Sequence, residues 1–392
     1  MLRVMRSPRV KALARRLIWF ARIVTPVRAH SVVYGWPDDE GNAVAVLRHL
    51  LEKSDANVFW LVDGDRPDVG LGLAGKPNLF VVRRRSFRGF AAYLTAHLTI
   101  FTHGLYLSPR PPRRKPVVNV WHGDGPKALQ ATLAHPAPRS TYVVASTELW
   151  GRDKARFFGV SDRNLLITGN PRTDQLRQPV ADDVLEALGI AADKSVLFFM
   201  PTYRVARAVG SNQSWSDVVS GGDHRRQDAL HQLSDSAAVQ EQQIVVKPHP
   251  LDSQVSSIPG MRSVSDDDIR QAGGSLYGLL GRACGLITDY SSVWTDYLVL
   301  DRPMAFLLHD ESAYISGRGL NVKEIREFLP GPILTSTDEM DRFFRDLKDG
   351  VDRYSDRRKQ IARKIGLVSD PRNTERLFTE LQSRGHFGAR AS

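Results

Sequence analysis

Short apolar runs alternate with amphipathic stretches along most of the chain. Val32–Trp36, Val58–Asp63, Phe80–Val82, Leu98–His103, Val117–Trp121 and Tyr142–Ala145 read as strands bounded by turn residues. Asn42–Leu51, Phe87–Ala96 and Thr147–Phe158 have helical spacing. A second series begins near Ala181, with a helix at Val184–Leu188 and strands at Val196–Met200 and Ile244–Lys247. Val205–Arg226, rich in Ser, Gly and Asp, has no clear period and reads as a long functional loop. The chain closes with a short strand at Ile333–Leu334 and helices at Asp338–Leu347, Tyr354–Ile365 and Thr374–Gln382. Alternation of this kind predicts an α/β fold with parallel sheets. Arg177-Gln178-Pro179 interrupts the pattern, so the expected domains are 31–178 and 179–392.

The second half turns on residues 286–310. Gly285–Thr288 is a buried strand, and Asp289, Ser291 and Ser292 follow at once. Val293–Leu300 then has helical spacing, and Pro303 ends it before the apolar run Met304–Leu308. Asp and Ser are helix N-cap residues, so a plain cap explains the turn if it stands alone. In an open α/β sheet, however, ligands bind beyond the carboxyl ends of strands. A helix N-terminus there offers N–H groups and partial positive charge to a phosphate.

The turn does not stand alone. Val117–Trp121 runs into His122-Gly123-Asp124-Gly125-Pro126-Lys127. Leu165–Thr168 runs into Gly169-Asn170-Pro171-Arg172-Thr173-Asp174. Val196–Met200 meets Pro201-Thr202-Tyr203-Arg204, and Ile244–Val246 meets Lys247-Pro248-His249-Pro250. If the strands are parallel, these turns gather at one edge of each sheet, and two such edges face each other across a cleft. Arg172, Arg204 and Lys247 suit phosphate oxygens, arginine as a fork and lysine as a point charge. His122 and His249 are suited to proton transfer near neutral pH. Gly123 and Gly125 allow close backbone approach.

Composition narrows the classes. The chain has 392 residues, enough for two domains. Its one cysteine, Cys284, excludes an internal disulfide and argues against a cysteine-built metal site. It precedes an apolar strand and reads as a small buried side chain. The net charge of +11 suits anionic partners. Residues 1–30 hold arginines, apolar residues and no acid. They form a basic amphipathic leader, expected to lie on an anionic membrane surface. Arg15, Arg16 and Arg22 break the apolar run below the length that spans a bilayer. No small-residue cleavage site follows a clean apolar core, which argues against a secretory signal.

Several strand ends also carry a family resemblance. Trp-His-Gly-x-x-x-Lys at 121–127, Gly-Asn-Pro-Arg-x-Asp at 169–174, Pro-Thr-Tyr-Arg at 201–204, Lys-Pro-His-Pro at 247–250 and Thr-Asp-Tyr-Ser-Ser-x-x-x-Asp at 288–296 resemble the signature of the CDP-glycerol glycerophosphotransferases. Arg318-Gly319, Leu329-Pro330-Gly331-Pro332 and Asp370-x-x-Asn373-x-x-Arg376 match as well. The resemblance implies a GT-B fold: two Rossmann-like domains with the active site between them, acceptor-side first and CDP-glycerol-binding second. It implies synthesis of teichoic acid or a related wall or capsule polymer at the cytoplasmic face of the membrane, with peripheral attachment. By position, His122 and His249 fall on the family's two important histidines. Arg172, Pro201, Thr202, Ser291, Ser292 and Asp296 fall where the family binds CDP-glycerol. Gly123, Lys127, Arg204, Lys247 and Asp289 complete the expected phosphate site. Asp124-Gly125 stands where the family commonly has Thr-Pro, and Leu320 where an aromatic is usual. Both departures bear on the acceptor or the alcohol donor.

The expected reaction moves glycerol phosphate, or a related polyol phosphate, from a CDP-activated donor and releases CMP. The acceptor is a hydroxyl of a polyprenyl-diphosphate-linked saccharide or of a polyol-phosphate chain. His122 is the expected base; His249 and Lys247 stabilise charge on the diphosphate. No cofactor is required by the sequence, and no metal cluster is evident in it; a divalent cation stays open. Alternatives are a GT-B glycosyltransferase using a nucleotide sugar, and a capsule polymerase moving ribitol phosphate or sugar phosphate. A non-catalytic basic protein is a further alternative; no nucleic-acid partner is expected, because solvated charge explains the basic balance.

Overall fold

The computed structural model describes residues 7–64, 72–73, 75–129, 137–202, 223–248 and 258–387. The chain divides into two compact units. Unit 1 holds 1–124, 133–174 and 368–392; unit 2 holds 125–132 and 175–367.

Unit 1 is built on a parallel seven-stranded sheet in the order β3-β2-β1-β4-β5-β6-β7. The chain runs α1 (Pro8–Val24), β1 (Arg28–Tyr34), α2 (Gly41–Lys53), β2 (Asn57–Val62), β3 (Leu79–Arg83), α3 (Phe87–Thr95), β4 (Ala96–Phe101), β5 (Val117–Asn119), β6 (Tyr142–Ala145), α4 (Glu148–Phe158) and β7 (Leu165–Ile167). The middle strands are buried on both faces, as near-continuous apolar runs predict. Val33, Trp60, Leu98, Ile100 and Val118 form one core with α2. Val32, Tyr34, Leu61 and Phe101 form a second with Ala92 and Tyr93 of α3. Strand order reverses between β1 and β4, since β1 pairs with both β2 and β4.

Helix α1 is not a separate leader; it packs on α3 as part of unit 1. Its orientation is unusual. Arg22 is fully buried, over the Tyr93 ring at 4.4 Å, and donates to the Tyr93 hydroxyl and the Lys115 carbonyl. Ile18 packs inward beside it. Leu13, Leu17, Phe20, Ile23 and Val24 face outward, with Phe20 58% exposed. Among the described residues, no helix is long and apolar enough to cross a membrane.

Unit 2 is built on a parallel five-stranded sheet in the order β10-β9-β8-β11-β12. Its elements are α5 (Asp182–Ala187), β8 (Val196–Met200), α6 (Asp223–Val239), β9 (Gln243–Val246), β10 (Arg262–Ser263), α7 (Asp266–Gln271), α8 (Leu276–Leu280), β11 (Gly285–Thr288), α9 (Val293–Tyr297), β12 (Met304–Phe306), α10 (Glu311–Arg318), α11 (Thr337–Lys348) and α12 (Ser355–Ile365). Leu197, Phe199, Ile244, Val246 and Ile287 meet Leu230, Leu233, Phe343 and Phe344 in its core. The order reverses between β8 and β11. Ser336 and Glu339 form a capping box that starts α11.

Several expected elements change. Residues 205–222 of the expected loop lie outside the described residues, and 223–226 already belong to α6. The expected helix 293–300 is the short α9 followed by a 3-10 turn at Leu298–Leu300. Ile333 forms a single bridge to Phe306 rather than a strand. The largest difference is at the C-terminus. The last helix, α13 (Asn373–Ser383), belongs to unit 1, not to the second domain. Val368 N–H donates to Ser146 O, and Leu377, Phe378 and Leu381 enter the α2 core. Periodicity marks a helix as one-faced but does not say which sheet it covers.

Candidate functional site

In unit 1 the candidate residues follow the carboxyl ends of β1, β4, β5 and β7. After β5, Asn119 Oδ1 accepts from Trp121 N–H at 3.1 Å. Asn42, buried on α2, donates to both Val120 O and Trp121 O at 3.0 Å. This fixes the backbone that presents His122. The His122 ring is half-buried and lies parallel to His103 from the end of β4, with ring centroids 4.6 Å apart and planes 3° apart. Trp121 touches both rings, and Trp36, after β1, meets His103 edge-on at 5.4 Å. Burial pushes the His103 pKa down to about 4. Neither His103 nor Trp36 stands out in the sequence: a single His or Trp at a strand end has no local signal. Only the reversal between β1 and β4 makes their position informative.

Asp124 does not face a ligand. It is 2% exposed and paired with the buried ammonium of Lys154. It accepts from the backbone N–H of Ser146 and Thr147 and, at 2.9 Å, from the Ser146 hydroxyl. Lys154 also donates to Val144 O at 2.9 Å. Asp124 therefore ties the His122-Gly123 turn to the end of β6 and the start of α4. This packing gives Asp124 a structural role within unit 1.

Arg172, expected on a phosphate, lies 3.4 Å from Glu40, and its backbone N–H donates to Asn42 Oδ1. Asn170 and Asp174, from the same motif, hold α13. Asp174 accepts from Asn373 N–H, Thr374 N–H and the Thr374 hydroxyl. Burial raises the Asp174 pKa against those bonds. Asn373 donates to Thr173 Oγ1 and Asn170 O, and Arg376 donates to Thr168 O. Gly169 sits at φ +88°, and a Cβ there would fall 1.9 Å from Asn373 Oδ1. The Gly-Asn-Pro-Arg-x-Asp and Asp-x-x-Asn-x-x-Arg motifs thus form one latch.

In unit 2 the expected residues meet at the β8/β11 reversal. Asp289 is 2% exposed and accepts from Thr202 N–H at 2.9 Å, from the Thr202 hydroxyl at 2.5 Å and from Ser291 N–H at 3.2 Å. Pro201 is buried beside Thr202. Ser291 and Ser292 are half-buried. Ser292 is the N-cap of α9 but makes no side-chain cap bond, so helix capping does not account for its hydroxyl. The α9 dipole is small, because the helix has 5 residues. Asp296 is buried and accepts from Tyr277 OH at 2.6 Å. Tyr290 stacks on Tyr314 at 3.9 Å, fixing the turn from below.

Lys247, after β9, has a buried side chain 3.1 Å from Asp266. Gly125 packs on the serine turn: a Cβ at Gly125 would be 3.0 Å from Ser292 Cβ. Lys127 bridges Leu320, and Asn321 donates to Pro126 O and Lys127 O. The 125–128 stretch and the Arg318-Gly319-Leu320 motif are therefore neighbours. Arg204 and His249 lie outside the described residues. Among the described residues, no three or more His, Cys, Asp or Glu side chains gather as a metal-ligand set.

A profile of the CDP-glycerol:poly(glycerophosphate) glycerophosphotransferase family matches residues 17–382. The chain is 24% identical over 370 residues to a teichoic acid glycerol-phosphate transferase of Staphylococcus aureus, covering 86% of this chain and 88% of the relative. It is 28% identical over 240 residues to a teichoic acid poly(ribitol-phosphate) polymerase of Bacillus spizizenii, covering 57% of this chain and 37% of the relative. The chain thus spans most of the transferase and well under half of the polymerase. Among solved structures it is similar to the wall teichoic acid polymerase TagF, with TM-score 0.70 at 18% identity over 96% of this chain and 93% of that one. It is also similar to a putative UDP-N-acetylglucosamine 2-epimerase from Listeria monocytogenes, with TM-score 0.55 at 14% identity over 93% of this chain and 98% of that one. At these identities the likeness is one of fold, and the expected class, Rossmann-like α/β units of the GT-B type, is borne out.

Proposed function

We propose a reaction on one premise: the chain belongs to the CDP-glycerol glycerophosphotransferase family. It transfers glycerol phosphate from CDP-glycerol to a hydroxyl of a polyprenyl-linked saccharide or a polyol-phosphate chain, in teichoic acid or related polymer synthesis. The observation that carries this reading is the chemistry at the carboxyl ends of parallel strands. His122 follows β5, Thr202 follows β8, Lys247 follows β9 and the 289–292 turn follows β11. Glycerol is favoured over ribitol because the glycerol-phosphate transferase of S. aureus is matched over most of its length. Ribitol phosphate is the second reading, from the similarity to the ribitol-phosphate polymerase of B. spizizenii.

In this reading the acceptor oxygen attacks the phosphorus bearing glycerol. The acceptor proton passes to His122, the P–O bond to CMP breaks, and CMP leaves with that electron pair. Thr202, Ser291, Ser292 and Lys247 meet the diphosphate. Asp289 and Asp296 shape that turn. Arg204 and His249 keep the phosphate roles that the resemblance gives them. Arg172, held beside Glu40, keeps the phosphate role that the resemblance gives it. No metal is assigned, and transfer is expected to persist in a chelator.

The chain works at a membrane surface in this reading. The support is α1, whose leucines and Phe20 point outward while Arg22 is held inside. Leu17→Glu with Phe20→Glu is expected to abolish co-sedimentation with anionic vesicles and to change folding stability by no more than about 0.5 kcal/mol. Unchanged sedimentation would remove the membrane from the proposal.

The test of the reaction is the mass of the product from CDP-glycerol, CDP-ribitol or a UDP-sugar with a lipid-linked acceptor. Glycerol phosphate addition with CMP release is expected. Sugar addition from the UDP donor would overturn the reading. His122→Ala is expected to lower kcat by about 10²–10⁴ with donor affinity little changed.

A further inference from the structure

We infer that His103 is a positioning residue for the transfer: it holds the His122 ring by stacking at the point where unit 1 reverses its strand order. The inference rests on the reading of His122 as the base.

Three observations carry it. The first is place. His103 follows β4 and Trp36 follows β1, the strands at which the order of the sheet reverses. Such a reversal opens a crevice at the carboxyl edge, where open α/β sheets take ligands. A histidine that only filled the core would be fully enclosed; His103 is half-buried and follows a strand.

The second is geometry. The His103 and His122 rings are 3° from parallel with centroids at 4.6 Å. Trp36 meets His103 edge-on, and it is 55% exposed. His122 therefore has an aromatic wall on one face that its own backbone does not supply. Removing that wall takes away one restraint on its ring, and a small misplacement of a reacting group costs a large factor in rate.

The third is anchoring and charge. Thr102 Oγ1 accepts from Trp36 N–H at 3.2 Å and lies 2.8 Å from His103 Nδ1. Thr102 Oγ1 thereby ties the His103 ring to the backbone that follows β1. Burial keeps that ring neutral well below neutral pH. A neutral neighbour lets His122 take a proton without a second cation stacked against it.

The test compares His103→Ala and His103→Phe in the full chain. It uses single-turnover rates, calorimetric donor affinity and side-chain NMR of His122. His103→Ala is expected to slow transfer by roughly 10- to 100-fold, with donor Kd unchanged and the His122 ring signals shifted and broadened. His103→Phe keeps the stacked wall and is expected to restore most of the rate and a parental His122 spectrum. Parental rates and His122 signals in His103→Ala would overturn the inference. So would His103→Phe being as slow as His103→Ala, because stacking would then not be what matters. If His122→Ala keeps its activity, the base assignment fails, while the NMR comparison still decides whether His103 holds that ring.

Discussion

Each of the two sheets reverses its strand order once, and the two reversals are built differently. In unit 2 a single carboxylate, Asp289, crosses from β11 to the residue after β8 and accepts from Thr202 N–H and Oγ. Its helpers Ser291 and Ser292 follow within a few residues. In unit 1 the crossing is aromatic: Trp36 from β1, His103 from β4, then His122 from β5. There the acid, Asp124, is set back and neutralised by Lys154. The contrast separates two needs. In the proposed reading, the diphosphate is met by short polar groups on a tight turn, and the base by rings that fix its plane.

The largest effect that tests this contrast is at Asp124. Asp124→Asn leaves the Lys154 ammonium buried without its carboxylate. It should destabilise unit 1 by about 3–5 kcal/mol in chemical denaturation. Asp124→Asn with Lys154→Met removes the stranded charge and should recover most of that loss. A single variant as stable as the parent would show that the pair does not hold the turn.

Next is the pH response of His103. Its pKa is about 4 in the fold against an ordinary 6.5. The unfolded chain binds the extra proton first as pH falls. The stabilisation is therefore complete above pH 6.5 and is lost on the way down through 4, by up to about 3 kcal/mol. Denaturation midpoints from pH 7 to 4 should show this loss in the parent and not in His103→Phe. Parallel curves would mean that His103 titrates normally.

The smallest of the three is Asp289→Asn. An amide still accepts one of the N–H bonds but presents its own NH₂ to the other donors, at a cost of about 1–3 kcal/mol. Donor affinity should fall with stability. If affinity fell with stability intact, Asp289 would contact the ligand itself rather than shape the turn.

The unit 2 reversal was legible because its residues are contiguous. Asp289, Ser291 and Ser292 follow an apolar strand, and the capping explanation could be weighed on the spot. Local order also made β6 and β8 legible to the residue. The unit 1 reversal was not legible, because Trp36 and the Thr102-His103 pair lie on separate segments whose patterns are ordinary. The roles within motifs were also hidden. Asp174, Asn373 and Arg376 read as a signature but act as a latch, and Asp124 read as a possible determinant of the acceptor but is tied inward to Lys154.

The sequence by itself determined the parallel α/β class, most strand positions and the polar character of the strand ends. Those follow from side-chain period and turn chemistry, which act over a few residues. Only the tertiary structure decided that α13 covers the first sheet, that α1 turns its arginine in and its leucines out, and that His103 lies against His122. An amphipathic pattern fixes that a helix has two faces, while the direction they point depends on what packs beside them. Stacked rings and buried ion pairs join residues far apart in the chain, so no local period records them.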